Sequence, residues 1–268
     1  MDKANGGNYT GMKHALHVSQ PSVESQVMQT TDKWIILLNV NDGFFDLFEN
    51  WWRHFRRLGL KETVTVVAED DSSFIKLKGQ YNFDNVRIVR SWILNISEAQ
   101  KYGSREYKQI VSARPHYLLK YLKKGDNVLY SDVDTVLLKN PFSYFSGSYD
   151  MWVQSINNKR MICAGFMAIK SNTKTTKLMQ LWGNKLDERL QRNQPALNQL
   201  IRNEGNSATH LSVAFLSDRL FIGGREYPRM SRKQRAQGVM VHATFCGFYQ
   251  KRSFLMKWNL WFNSSTSQ

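Results

Sequence analysis

Val128-Leu-Tyr-Ser-Asp132-Val-Asp134-Thr-Val-Leu-Leu138 is the stretch from which the fold is read. It is a short apolar strand that ends in two carboxylates two residues apart. In a parallel sheet the carboxyl ends of the strands face the crevice where ligands bind. Around an extended-to-turn segment Asp132 and Asp134 can reach one centre, and paired carboxylates suit hard divalent cations such as Mn²⁺ or Mg²⁺. A bare Asp-x-Asp is common, and one aspartate capping a turn with the other in solvent is the plain alternative. The apolar residues on both sides favour the paired reading, because charges bracketed by core residues need partners.

Short apolar runs alternate with helical spacing on either side of this stretch. Upstream, Lys33–Val40 reads as a buried strand, Gly43–Leu58 as a helix with a broad apolar face, and Gly59 as its stop. Thr63–Ala68 is a β-branched strand, Asp71–Lys78 a short helix and Val86–Val89 a strand. Ser104–Lys124 reads as one or two helices, with Pro115 able to start the second and Gly125 to end it. Downstream, Asp150–Ile156, Met161–Lys170, Leu211–Leu216 and Val239–His242 read as strands, and 174–190, 194–203 and 247–258 as helices. This order predicts an α/β fold with a mixed, mainly parallel sheet covered by helices on both faces. Residues 1–30 are polar and aperiodic and read as a flexible tail or stem, leaving 31–268 as one domain.

Composition narrows the function classes. The 268 residues carry 37 Lys+Arg against 22 Asp+Glu, a net charge of +15, so anionic partners are favoured. A hydrophobic share of 42% with 5 prolines excludes a disordered or collagen-like chain. Two cysteines exclude a disulfide-dense scaffold and a four-cysteine zinc site, and leave one disulfide or two buried thiols open for Cys163 and Cys246. The longest clean apolar runs, such as Trp34 to Leu38, fall far short of the ~18 residues of a membrane span. Eight basic residues and one acid, Glu226, lie between Arg225 and Lys257. A solvated basic face explains any one of them; an anion-binding role for the cluster stands level with it. No zinc-finger, RRM or KH pattern accompanies the charge, so nucleic acid is not an expected partner. Asn8, Asn95 and Asn263 begin Asn-x-Ser/Thr tripeptides, each a weak signal for a secretory compartment.

Two chemistries use a strand followed by Asp-x-Asp. Asp132-Val-Asp134-Thr135-Val136 fits the string of a haloacid-dehalogenase-like phosphatase, but that chemistry needs a further carboxylate pair downstream. Asp187 and Glu188 are adjacent acids but sit within a helical pattern. The other chemistry is nucleotide-sugar transfer. Ile36-Leu-Leu-Asn-Val-Asn, Arg114-Pro-His-Tyr-Leu-Leu, the Asp-x-Asp strand through Pro141-Phe, Cys163-Ala-Gly-Phe-Met, Gln194-Pro-Ala-Leu-Asn198 and Val241-His-Ala-Thr-Phe with Gly247 and Lys251 occur in that order. Over about 230 residues this succession resembles the nucleotide-diphospho-sugar transferases, among them plant rhamnogalacturonan-II xylosyltransferases.

The resemblance implies a GT-A fold and a retaining glycosyltransferase that uses Mn²⁺ (or Mg²⁺) and a UDP-sugar, xylose or galactose above others, with a glycan acceptor. It implies a Golgi or other secretory location, although no membrane anchor is read in these residues. By the resemblance, Asp132, Asp134 and His242 are metal ligands and Asp132 also reaches the nucleotide. Gly247 and Lys251 approach the diphosphate, Arg114 and Asn39 contact the nucleotide, and Ala164 and Gly165 underlie the transferred sugar. Gln194 and Asn193 match the pair near the anomeric carbon, where many relatives have Asp-Gln. Asn193 cannot supply the carboxylate, which a front-face mechanism tolerates. A non-catalytic glycan- or nucleic-acid-binding module on the same fold is the rival reading. Trp34, Trp51, Trp52 and Trp182 fit core patterns, leaving Trp152 and Trp258 open to a sugar.

Overall fold

A computed structural model describes residues 33–156, 161–203 and 210–262. The tail reading of residues 1–30, and the tripeptides at Asn8 and Asn263, lie outside them. Ten strands alternate with seven helices among the described residues. The large sheet joins β1 (Trp34–Val40), β2 (Thr63–Ala68), β3 (Val86–Arg90), β4 (Asn127–Ser131), β6 (Met151–Ile156), β7 (Met161–Ile169) and β8 (Val213–Phe215) in the order β3-β2-β1-β4-β7-β6-β8. From β3 to β4 every pairing is parallel, whereas β7 runs antiparallel to both β4 and β6. A small sheet of β5 (Thr135–Leu137), β10 (Met240–His242) and β9 (Phe221–Gly223) stands beside it in that order.

The two-residue period of β1 divides its side chains between two cores. Ile35 and Leu37 pack with α3 (Arg105–Leu122), α4 (Thr173–Glu188) and α5 (Asn193–Asn203). Ile36, Leu38 and Val40 face the opposite way, onto α1 (Phe45–Arg57) and α2 (Asp71–Gln80). A third cluster ties Val136, Ile222 and Val241 of the small sheet to Leu255 of α7 (Phe248–Lys257) and to Leu47 of α1. Buried strands covered on both faces explain why β1, β2 and β4 read as continuous apolar runs rather than alternating ones.

Three expectations change. Pro115 does not open a second helix: α3 is continuous, begins at Ser104, whose hydroxyl accepts from Tyr107 N at 3.0 Å, and carries Pro115 inside. An interior proline costs about 3 kcal/mol, but Val111, Ala113, Tyr117 and Leu118 around it are buried against the sheet, and that packing holds the helix together. Trp152 is 2% exposed, its indole N–H donating to Ser146 O at 2.9 Å, so it is a core residue and not a sugar platform. β5, β9 and the short helix α6 (Arg232–Gln237) are additions, too brief to leave a period in the sequence.

His54 of α1 is buried; its Nε2 lies 3.1 Å from Leu260 O and its Nδ1 3.3 Å from Arg57 Nη2. Burial, with Arg57 adding to it, lowers its pKa to about 4 although the Leu260 carbonyl opposes. The folded value lies below the unfolded one, so His54 stabilises the fold at neutral pH and withdraws that contribution as pH falls from about 6.5 toward 4, by roughly 3 kcal/mol at most. Urea unfolding at pH 7 and pH 5 is expected to show a smaller acid loss of stability in His54→Gln than in the wild type.

Candidate active site

The site forms where β4 leaves the large sheet and the chain crosses to β5. Asp132 and Asp134 stand in this crossing, between two strands whose residues are all buried. Thr135 N donates to Asp132 O at 3.2 Å to close the turn. The hydroxyls of Ser131 and Thr135 lie 2.7 Å apart across it, and Trp51 of α1 donates its indole N–H to Ser131 Oγ at 3.1 Å. The turn is therefore fixed from below by a buried tryptophan.

His242, at the end of β10, pairs in register with Thr135 of β5. Its Nε2 lies 3.2 Å from Asp134 Oδ1 and 3.8 Å from Asp132 Oδ2. One ligand atom from each of Asp132, Asp134 and His242 falls within 4.8 Å of the others, and this is the metal-capable group found among the described residues. Two carboxylates and an imidazole fit Mn²⁺ or Mg²⁺ better than thiolate-loving ions. Gly165 of β7 completes the cradle: a Cβ there would stand 2.3 Å from Asp132 Oδ2 and 2.5 Å from His242 Cε1. No other residue permits both side chains to close over that strand.

Cations balance the acids, of which Asp134 is buried and Asp132 half-buried. Arg114 of α3 is 7% exposed and donates from Nη2 to Asp132 Oδ1 at 2.6 Å and from Nη1 to Ala164 O at 2.8 Å. Burial opposes its charge, but Asp132 and Tyr130 hold it more firmly protonated than usual. Lys251 of α7 donates to Asp134 Oδ2 at 2.5 Å and to Ala243 O at 2.9 Å. Burial works against ionisation of Asp134, yet Lys251 and then His242 hold its carboxyl well below the usual range. Burial likewise opposes charge on His242, but Asp134 and Cys163 raise it to about 10. A cation taking this position must displace that proton and competes with Lys251 for Asp134.

Asn39, next to last in β1, donates to Glu69 Oε1 at 2.8 Å and accepts from Tyr130 Oη, which also lies 3.0 Å from Asp132 Oδ1. Gln194 Oε1 accepts from Ala164 N at 3.1 Å. Asn193 is buried and its carbonyl accepts from Trp182 Nε1 at 2.9 Å, while its Nδ2 has no hydrogen-bond partner. Gly247 stands just before α7, one turn ahead of Lys251, whose N–H bonds its carbonyl at 3.1 Å. A Cβ at Gly247 would meet nothing nearer than Gln250 Oε1 at 3.5 Å, so packing alone does not demand glycine there. Asp132, Asp134, Ala164, Gly165, His242, Lys251 and Arg114 thus come together directly, and Asn39 and Gln194 join through single hydrogen bonds.

Four partners escaped the sequence reading: Glu69, Tyr130, Gln154 and Cys163. Gln154 Oε1 lies 2.8 Å from His242 Nδ1, and Cys163 Sγ 3.6 Å from the same atom. Gln154 had a signal, being a lone amide in the apolar run Met151–Ile156 that must find a partner. Burial pushes the Glu69 carboxyl up to about 8, opposed first by the Asn39 hydrogen bond. Both cysteines are free thiols. Asp187, the acid the phosphatase reading would need, is instead on α4, 3.1 Å from His116.

A mixed sheet of this order, with an Asp-x-Asp turn at its crossing and a histidine closing from a second small sheet, defines a GT-A glycosyltransferase fold. The chain belongs to the nucleotide-diphospho-sugar transferase family, whose profile matches residues 59–255. It is 26% identical over 257 residues to UDP-D-xylose:L-fucose alpha-1,3-D-xylosyltransferase 3 of Arabidopsis thaliana, covering 85% of this chain and 66% of that protein. It is 24% identical to UDP-galactose:fucoside alpha-3-galactosyltransferase of Dictyostelium discoideum, covering 90% of this chain and 45% of that one. Among solved structures it is similar to the galactosyltransferase LgtC in complex with donor and acceptor sugar analogs, at a TM-score of 0.54 and 10% identity, covering 86% of this chain and 97% of that one. The chain thus spans about two thirds or less of the length of these two curated relatives.

The cradle makes Gly165 a direct test. Gly165→Ala is expected to push Asp132 and His242 apart and, where the group takes a divalent cation, to weaken its binding about tenfold or more, read by cation titration, with the circular dichroism spectrum unchanged.

Proposed function

We propose that the chain is a UDP-sugar-dependent glycosyltransferase that moves a sugar, xylose or galactose, to a glycan acceptor with retention of configuration. The observation that carries this reading is the convergence of Asp132, Asp134 and His242 over Gly165 in a member of this family. A binding module has no need of a buried Asp134 and a half-buried Asp132 held against an imidazole, since their desolvation is costly.

In this reading Asp132, Asp134 and His242 hold Mn²⁺ or Mg²⁺. When bound, the cation neutralises the donor diphosphate and stabilises UDP as a leaving group. Arg114 fixes Asp132 in position from behind, and Gln154 orients the His242 ring in the same way. Lys251 moves from Asp134 to the diphosphate, which Gly247 lets approach the backbone. Asn39 lies beside the uridine. Ala164 and Gly165 form the floor under the sugar, and Gln194, anchored on Ala164 N, sits near the anomeric carbon. The bond from the anomeric carbon to the diphosphate oxygen breaks with its electron pair going to UDP. The acceptor hydroxyl oxygen bonds to the same face of that carbon, and its proton passes to the departing diphosphate oxygen. Asn193 in place of a carboxylate fits this front-face course.

The tripeptide at Asn95 lies exposed in a loop, in keeping with a secretory lumen. No helix among the described residues is long and apolar enough to cross a membrane.

Calorimetric titration with UDP is expected to give binding that requires both Mn²⁺ and Asp134. It should vanish in Asp134→Ala, and metal-independent or absent binding in the wild type sinks the reading. Asn193→Asp is expected to leave turnover unchanged, because the lost Nδ2 donor has no protein partner. A rise of about tenfold, worth about 1.4 kcal/mol of barrier, would give a carboxylate a place in the mechanism and count against the front-face course.

A further inference from the structure

Beside the metal-capable group the chain carries a feature that the proposed metal and donor leave unused. Two turns meet there: Gly224-Arg225-Glu226 after β9 and Ala243-Thr244-Phe245 after β10. They are pressed together at the backbone. Gly224 N donates to Thr244 Oγ1 at 3.1 Å, and a Cβ on Gly224 would stand 2.5 Å from Thr244 O. The second turn is also tied to the metal-capable group, since Ala243 N donates to Asp134 O at 3.0 Å and Thr244 N to His242 O at 2.6 Å.

This junction holds Phe245 at φ 59°, a left-handed conformation that a bulky residue adopts at a cost. The cost serves no core, because Phe245 remains 54% exposed. Its ring instead carries the exposed Arg225, whose guanidinium carbon lies 4.3 Å from the ring centroid. Stacking holds a guanidinium plane in place while leaving its in-plane N–H groups free, the geometry suited to a carboxylate. The surface continues in kind: Arg235 stacks 4.4 Å from the Trp258 ring, and Arg229, Arg232 and Lys233 are exposed beside it.

We propose that Arg225, stacked on Phe245, is an acceptor subsite that selects a glycan bearing a carboxylate, a uronic-acid sugar. The proposal rests on the transferase reading for its word "acceptor". Phe245 lies three residues beyond His242, so a sugar held here borders the reacting centre. The basic strip beyond Arg225 extends the same preference along an acidic chain.

The test compares binding of glucuronic- and galacturonic-acid disaccharides with that of their neutral methyl esters, by calorimetry at fixed ionic strength. The wild type is expected to bind at least one acid about tenfold or more tightly than its ester. Arg225→Ala should abolish that discrimination while binding UDP and Mn²⁺ as the wild type does. Phe245→Gly suits the left-handed backbone and removes only the platform, so it should reduce the discrimination without unfolding the turn. Equal or undetectable binding of acid and ester by the wild type overturns the proposal, as does discrimination that survives Arg225→Ala. A loss of UDP affinity in Arg225→Ala also overturns it, by assigning the arginine to the donor. Failure of the transferase reading is separately visible as a wild type that binds no UDP, whatever the disaccharides do.

Discussion

The hydrogen bond from Asp132 N to Gly165 O, 2.8 Å long, is the join on which the site depends. The β4–β7 ladder ends in register with Ser131 opposite Phe166, and this bond carries it one pair further, to Asp132 opposite Gly165. A slip of one residue would turn the carboxylate into the core and put a side chain where Asp132 and His242 now meet. The antiparallel entry of β7 into an otherwise parallel half-sheet is therefore part of the site. It lays a small-residue backbone across the strand end that a parallel neighbour would have left open.

Charge gives the second constraint. Asp132 and Asp134 enter a region where an unpaired carboxylate is costly, and each is met by its own cation, Arg114 from α3 and Lys251 from α7. The two cations differ in kind. Arg114 is clamped to both Asp132 and the Ala164 carbonyl and acts as fixed framework. Lys251 is a mobile ammonium on a flexible stem, placed on the element that follows Gly247, and can exchange one anionic partner for another. Glu69 balances differently. Burial raises its pKa to about 8, and it meets Asn39 with a hydrogen bond rather than with a full ion pair.

The fold was largely legible because its strands are short, apolar and bounded, and its helices amphipathic. Both β1 and β4 read correctly to within a residue, since burial on both faces leaves an unbroken hydrophobic run. Pro115 misled, because a local rule about helix starts cannot weigh the packing of Tyr117 and Leu118 on a sheet assembled from elsewhere. The Asp132–Asp134 pair was legible from its apolar flanks. His242 and Lys251 were not legible from spacing alone. They lie more than 100 residues on in the chain, His242 on β10 and Lys251 on α7, and nothing in the spacing brings those elements beside the Asp132 turn. They came from family resemblance. Gln154, Tyr130 and Glu69 show what a sequence still conceals: each is a polar residue in or beside an apolar strand, which marks it as needing a partner without saying which.

The two sheets divide the work. The large sheet supplies Asn39 near the end of β1, Asp132 just beyond β4, and Ala164 and Gly165 from within β7, between two hydrophobic cores. Those positions tolerate little change, because each is fixed by register and by neighbours on both faces. The small sheet and α7 supply His242 and Lys251 from a third, smaller cluster, and their connecting turns reach solvent at Arg225 and Phe245. In the proposed reading, a large sheet buried between two cores, joined to a smaller one whose turns face outward, is suited to keeping one donor chemistry while changing what receives the sugar. The backbone contact of Gly224 with Thr244 couples those turns to Asp134 and His242, so the two functions share a boundary even though they belong to different cores.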